Sequence, residues 1–240
     1  MSEKEFEKLS VTTDTAICKM IDGELCVLLI KRNRKPAIGH WGLLGGFVSV
    51  CPRDANNRYQ LGDDGKPVIK EETLEQTVRR VMKRDIGVSG KIKINFLKPY
   101  DKPNRDNRMR IISQFHYALI PEDRELKINL GNTASDYMWC PLSKLPSRDK
   151  MAFDHRDMLD DLKAHLVNTI KHYPIAFELV RREFIMPELI AVFDSILGKR
   201  IENIARKVKR LYLLEETGDM VQGRGKASPV LKYKGIKGGI

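Results

Sequence analysis

The sequence predicts a mixed α/β domain over residues 1–150, followed by a helical, basic domain over residues 151–240. Three observations lead there. The first half holds β-branched, apolar stretches separated by turn residues, with one amphipathic helix among them. The second half repeats its apolar residues at helical spacing, with Pro and Gly where helices start and stop. Charge is also unevenly spread: eleven Lys/Arg face four Asp/Glu from Lys199 to Ile240, a net +7, against +11 for the whole chain.

The elements follow in order. "VTTDTAICKMI" (Val11 to Ile21) is strand-like and meets Asp22–Gly23, a hairpin turn signal, before "LCVLLIKR" ends at Arg32. The polar stretch from Cys51 to Lys70 reads as an inserted surface loop. "EETLEQTVRRVMKRDIGV" then predicts a helix with Leu74, Val78, Val81 and Met82 on one face. "KIKINFLKPY", "MRIISQFHYALI" and "DYMWCPL" are three further strands. Asp154 is placed to cap a helix whose stripe is Met158, Leu159, Leu162 and Leu166, with Pro174 at or just beyond its end. "MPELIAVFDSILG" follows, with Pro187 at a helix start, Gly198 at its exit, and Leu189, Phe193, Ile196 and Leu197 on its buried face.

Several function classes are set aside at this stage. No apolar run approaches the ~18 residues of a membrane span, and the start, MSEKEFEKLS, has no signal core. A cytoplasmic protein without a membrane partner is the expectation. Cys18, Cys26, Cys51 and Cys140 form no C-x-x-C pair, and the five histidines, His40, His116, His155, His165 and His172, form no H-E-x-x-H. No cofactor or metal is expected from them.

The basic end is patterned. In "IENIARKVKRL", Ile201, Ile204, Ala205, Val208 and Leu211 share one helical face, while Asn203, Arg206, Lys207 and Arg210 share another. An apolar face that anchors a helix leaves the opposite face to present cations and an amide, side chains suited to base edges in the major groove. A tight "GKR" turn separates this helix from the one before it. Arg224 and Lys226 sit at the tip of a following hairpin, Arg224 between Gly223 and Gly225. Helix, turn, helix and basic hairpin make a winged helix-turn-helix, and Asn203, Arg206, Lys207, Arg210, Arg224 and Lys226 are its candidate contacts to double-stranded DNA.

"WGLLGGFV" (Trp41 to Val48) together with the helix at Glu72 resembles the Nudix family. Glu72, Arg80, Met82, Gly87 and Val88 fall on its signature, and Gly46 matches once the Cys51–Lys70 loop is allowed as an insertion. Leu44 stands where the family usually has Pro. The three other acidic positions fall on Val81, Arg84 and Asp85. In the family these glutamates hold divalent cations. Val81 offers no oxygen, and Arg84 brings a positive charge to where a dication would sit. Pyrophosphate hydrolysis is therefore expected to be lost, leaving no catalytic residue.

The whole chain is similar to the Nudix-related transcriptional regulators of the NrtR type, with "MAFDHRDML" and "FELVRREFIMPELIAVFDSILGKRI" as the more specific stretches. That resemblance implies an N-terminal α/β/α sandwich that senses a small molecule, a C-terminal winged helix, and a homodimeric operator-binding regulator, a repressor relieved by ligand. The effector it implies is ADP-ribose or a related nucleotide in one branch and a sugar in another, with NAD-metabolism or sugar-catabolism genes as targets. The candidate effector residues are Arg32, Arg34, Gly45, Gly46, Phe47, Arg105, Asp106 and Arg108, the arginines as phosphate clamps. Two rival readings stand beside this one. One is a Nudix pyrophosphohydrolase with a metal site relocated to Glu71, Glu72, Glu75 and Asp85; the other is a non-specific nucleic-acid binder.

Overall fold

A computed structural model describes residues 9–52, 58–87, 92–222 and 226–237. Strand β1 (Ser10–Ile21) and strand β2 (Glu24–Arg32) form a hairpin whose two turn residues, Asp22 and Gly23, both have positive φ (49° and 79°). That is the backbone the Asp-Gly pair favours, and its twist suits the strands it joins. The sheet is completed by β3 (Trp41–Gly42), β4 (Leu44–Phe47), β5 (Asn95–Tyr100), β6 (Ile111–Ile120) and β7 (Ala134–Pro141). Its order is β3-β2-β1-β6-β5, with β4 also on β1 and β7 also on β2. The parallel pairing of β1 with β6 runs from Ser10↔Ile111 to Lys19↔Ile120 and is the long-range contact that builds the sheet.

Period-two alternation sends side chains to two cores. Ile17, Leu28 and Ile30 face helix α1 (Leu74–Ile86), meeting Val78, Val81, Met82 and Ile86. Ala16, Cys18, Met20, Leu25, Val27 and Leu29 face the other way, onto Met158, Leu159, Leu162 and Leu166 of α2 (His155–Thr169). Sheet between helices is the α/β/α sandwich that the resemblance implies. A capping box fixes the start of α1: Thr73 accepts from the Gln76 amide while the Gln76 side chain accepts from the Thr73 amide. Leu74, expected on the buried face, is instead exposed in the first turn, where the helix leaves the sheet.

The second core does not stop at the sandwich. It continues through Leu189, Val192, Phe193 and Ile196 of α3 (Met186–Leu197) to Ile204 and Val208 of α4 (Ile204–Leu211), Tyr212 of β9 (Tyr212–Val221) and Leu231 of β10 (Ser228–Ile236). Strand β8 (Glu183–Ile185), too short to stand out in the sequence, pairs with β10, and β10 pairs with β9. Phe177 stacks on Tyr233 at 4.1 Å and meets Tyr212 edge-on at 5.0 Å, tying this small sheet together. The Leu25 amide of β2 donates to Ser195 Oγ of α3 at 2.7 Å, adding a polar bond to the shared core.

Three local expectations change. Asp154 stands at the N-cap of α2 but makes no capping bond, because its carboxylate is taken by Arg105. The turn before α4 runs from Gly198 to Asn203, so Ile201 lies outside the helix, and Leu211 at its end is exposed. Asn203 caps α4 in the left-handed conformation (φ 58°) and so sits ahead of the cationic face rather than on it. Among the described residues no helix is long and apolar enough to cross a membrane.

Candidate functional site

A cavity of about 430 Å³ opens beside β1, β4 and the N-terminus of α2. All eight residues proposed from sequence for an effector line it: Arg32, Arg34, Gly45, Gly46, Phe47, Arg105, Asp106 and Arg108. Chain topology explains how they meet. β4 lies antiparallel on β1 with Gly45 opposite Asp14 and Gly46 opposite Thr13. A Cβ at Gly45 would sit 2.3 Å from Asp14 Oδ1 and 2.9 Å from the Thr13 carbonyl oxygen, and one at Gly46 would sit 3.0 Å from Val81 Cγ2. The glycine pair is what lets a carboxylate-bearing strand and α1 close on β4.

Beneath the cavity lies a buried polar network that sequence reasoning missed. Arg105 donates to both oxygens of Asp154 (3.0 and 2.6 Å) and approaches Asp14 at 3.5 Å, with its side chain only 4% exposed. Asp14 also accepts from Ser113 Oγ at 2.6 Å and faces His155 Nε2 at 3.4 Å. The Leu43 amide donates to His155 Nδ1 at 3.0 Å, so the ring proton sits on Nε2, toward Asp14. Burial alone would raise the Asp14 pKa. The His155 N–H, the Ser113 hydroxyl and the Arg105 guanidinium outweigh it and hold the carboxyl at about 2. For Arg105, burial opposes the charge, and Asp154 and Asp14 more than restore it. Arg105 therefore works from below the cavity, holding β1 to the start of α2, rather than as a clamp open to a ligand.

The other cavity cations divide by partner. Arg108 donates to both oxygens of Asp106 (3.0 and 2.6 Å) and lies over the Phe47 ring at 5.3 Å. Arg80 donates through Nε to Glu72 (2.7 and 3.0 Å) and through Nη2 to the Phe47 carbonyl at 2.9 Å. Arg84 forms a two-bond pair with its neighbour Asp85 at 2.5 and 2.8 Å. Arg32 differs: its Nε donates to the Pro36 carbonyl at 3.1 Å, its guanidinium covers the Phe153 ring at 5.0 Å, and no carboxylate pairs with it among the described residues. Burial, followed by repulsion from Arg108, lowers the Arg32 pKa.

The residues at the acidic signature positions do not suit a divalent cation. Val81 is fully buried against the sheet. Arg84 is a cation, and the one remaining carboxylate, Asp85, is already bonded to it. In the relocated set, Glu71 accepts from Tyr59, Glu72 from Arg80 and Thr77, and Glu75 from Arg79. No cluster of three His, Cys, Asp or Glu suited to a metal exists among the described residues.

A second candidate site lies on α4. Ile204 and Val208 are buried, and Arg206, Lys207, Lys209 and Arg210 are exposed on the opposite side. None of the four has an ion-pair partner among the described residues, whereas Lys232 and Lys234 on β10 pair with Glu183 and Glu215. Lys209 was overlooked in the sequence. Lys226 is exposed beside the hairpin tip, and Gly223, Arg224 and Gly225 lie outside the described residues, as does Val88.

Comparison with known proteins places this geometry. A NUDIX domain profile matches residues 12–162. An ADPR responsive transcriptional repressor, NtrR, of Acinetobacter baylyi is 25% identical over 209 residues, covering 86% of this chain and 75% of the relative. An ADP-ribose pyrophosphatase of Methanocaldococcus jannaschii is 32% identical over 146 residues, covering 61% of this chain and 70% of the relative. The crystal structure of Shewanella oneidensis NrtR complexed with a 27mer DNA superposes with a TM-score of 0.68 at 26% identity, covering 93% of each chain. The NUDIX domain of that protein, crystallised with ADP ribose, superposes with a TM-score of 0.51 at 27% identity over 69% of this chain and 94% of that one.

Proposed function

Because the chain belongs to the NUDIX family, we propose that it is a transcriptional repressor that binds operator DNA through α4 and an ADP-ribose-like nucleotide in the cavity beside β4. One observation carries the reading. A single chain joins a cation-lined cavity, its signature carboxylates already paired, to an exposed cationic helix face without ion-pair partners among the described residues. A repressor named as ADPR responsive and an NrtR structure with DNA, each matching over most of this chain, support it. Residues 1–150 form the sensing part, and residues 151–240 hold the linker helix α2, which runs from the cavity to the shared core, followed by the DNA-reading part. Arg206, Lys207, Lys209 and Arg210 read or grip the major groove, Asn203 stands at the helix entry, and Lys226 reaches a phosphate from just before β10. Two copies would place one α4 in each half-site, roughly one helical turn apart or a multiple of it. Ligand acts by favouring one arrangement of the two reading heads over the other.

The pyrophosphatase relative favours a second reading, hydrolysis of the same nucleotide. The arrangement of Val81, Arg84 and Asp85 argues against it, since hydrolases of this family rely on carboxylates at those positions. Fluorescence anisotropy of the full chain with the DNA upstream of its own operon tests the proposal. Binding at least ~10³-fold tighter than to random DNA of equal length is expected, with release on adding ADP-ribose and no cleavage of it in magnesium. Equal affinity for both DNAs, or turnover of ADP-ribose without any effect on DNA, would overturn it.

A further inference from the structure

The cavity holds more positive than negative charge, and the excess is not spread over it. Four of its seven basic residues are bound to carboxylates: Arg80 to Glu72, Arg84 to Asp85, Arg105 to Asp154 and Arg108 to Asp106. The remaining three, Arg32, Arg34 and Lys35, lie close together at the end of β2 and the start of the loop to β3, and have no carboxylate within ion-pair distance among the described residues. The uncompensated charge of the cavity is therefore on this loop, not on the signature helix α1.

Arg32 is the best organised of the three. Its Nε is fixed by the Pro36 carbonyl and its plane by the Phe153 ring, and its two terminal nitrogens, in a residue that lines the cavity, make no hydrogen bond among the described residues. A guanidinium held on one edge with its fork free suits bidentate capture of a phosphate or carboxylate. Its surroundings leave room for an anion: burial and the nearby charge of Arg108 oppose its own charge, and the carboxylates of Asp14 and Asp106 offset them only in part. Thr12, on the same face of β1 as Asp14, adds to the cavity wall a buried hydroxyl without a partner among the described residues. An uncharged polar part of a ligand can satisfy it.

We propose that the phosphate groups of the ligand sit on Arg32, Arg34 and Lys35, on the β2–β3 loop, and that no divalent cation takes part in holding them. This inference rests on the reading of the cavity as a nucleotide site. It relocates the anion from α1, where the signature would have it bridged by metal, to a loop where guanidinium and ammonium groups supply the positive charge directly.

Calorimetric titration of the full chain tests it, with ADP-ribose and inorganic pyrophosphate as probes, each in EDTA and in magnesium. Both probes should bind in EDTA. Arg32→Gln should weaken them ~100-fold, and Arg34→Gln with Lys35→Gln about tenfold, as loss of charge-assisted hydrogen bonds implies. Arg84→Gln should cost less than either. Melting temperature checks the fold of Arg32→Gln; should that variant unfold, the exposed Arg34→Gln/Lys35→Gln pair decides. Pyrophosphate binding that needs Arg32 while ADP-ribose fails to bind would uphold the anion site and reject the nucleotide reading. ADP-ribose binding that EDTA abolishes, or that Arg84→Gln weakens more than Arg32→Gln does, would overturn the anion site and leave the nucleotide reading standing. Failure of both probes to bind would overturn both.

Discussion

Arginine and lysine fill both the cavity wall and the exposed side of α4, in opposite surroundings. In the cavity most are locked to carboxylates: Arg105 to Asp154 and Asp14, Arg108 to Asp106, Arg84 to Asp85, Arg80 to Glu72. On α4, Arg206, Lys207, Lys209 and Arg210 have no carboxylate partner among the described residues, and two buried side chains, Ile204 and Val208, hold the helix in place. A paired cation in a buried place holds backbone elements together, because its partner compensates the cost of taking charge from water. An unpaired cation on a rigid helix is left to an outside polyanion. Within the cavity the same distinction separates Arg105, bonded to Asp154, from Arg32, which has no carboxylate partner among the described residues.

The largest expected effect tests the paired side. Arg105→Ala leaves Asp14 and Asp154 buried without their counter-charge and should cost ~3–5 kcal/mol of stability, read from chemical denaturation. Arg206→Ala should leave the denaturation midpoint unchanged; a midpoint shift as large as that of Arg105→Ala would erase the contrast. On the unpaired side, the double variant Arg206→Ala/Arg210→Ala should lose operator binding, each substitution contributing ~10- to 100-fold and lowering the salt slope by about one. Full affinity would mean that α4 presents the wrong face to DNA.

Acid sharpens the comparison further. Asp14 is held at about 2 in the fold against 3.8 when free. Its contribution, about 2 kcal/mol, is in place above pH ~4 and is lost as pH falls toward ~2, when the folded carboxyl takes up its proton. Melting temperature measured down that range should fall more steeply for the native chain than for Asp14→Asn; parallel curves would show that the network exerts no such hold. The smallest effect belongs to the exposed pair Arg79–Glu75 on α1, at 2.6 Å. Glu75→Ala should change stability by ~0.5 kcal/mol or less, because water screens such a pair. A loss of several kcal/mol would show that burial is not what separates structural pairs from incidental ones.

Much of this was legible in the sequence where the signal is local. Asp22–Gly23, the stripe of α2, Pro187 and Gly198 each carry their conformation in residue type and spacing, and the structure keeps them. The eight cavity residues were reached through a family resemblance, and they do converge. The network beneath them was not legible. Asp14 sits in a strand of threonines, and its partners Arg105, Ser113, Asp154 and His155 are brought to it only by the parallel pairing of β1 with β6 and by the docking of α2. An acidic residue inside a strand predicted to be buried was the available clue, since such a group needs compensation. Asp154 shows the same limit from the other side: its position before α2 predicts a cap, and a distant arginine takes its oxygens instead.

In the proposed function the cavity and α4 belong to one coupled device. Linkage makes a strict demand of such a device: whatever factor ADP-ribose takes from operator affinity, operator must take from ADP-ribose affinity. The direct measurement is the dissociation constant of ADP-ribose for the full chain, alone and with saturating operator DNA. ADP-ribose should bind more weakly in the DNA complex, by the same factor that ADP-ribose weakens the operator. An ADP-ribose affinity unchanged by bound operator would contradict it.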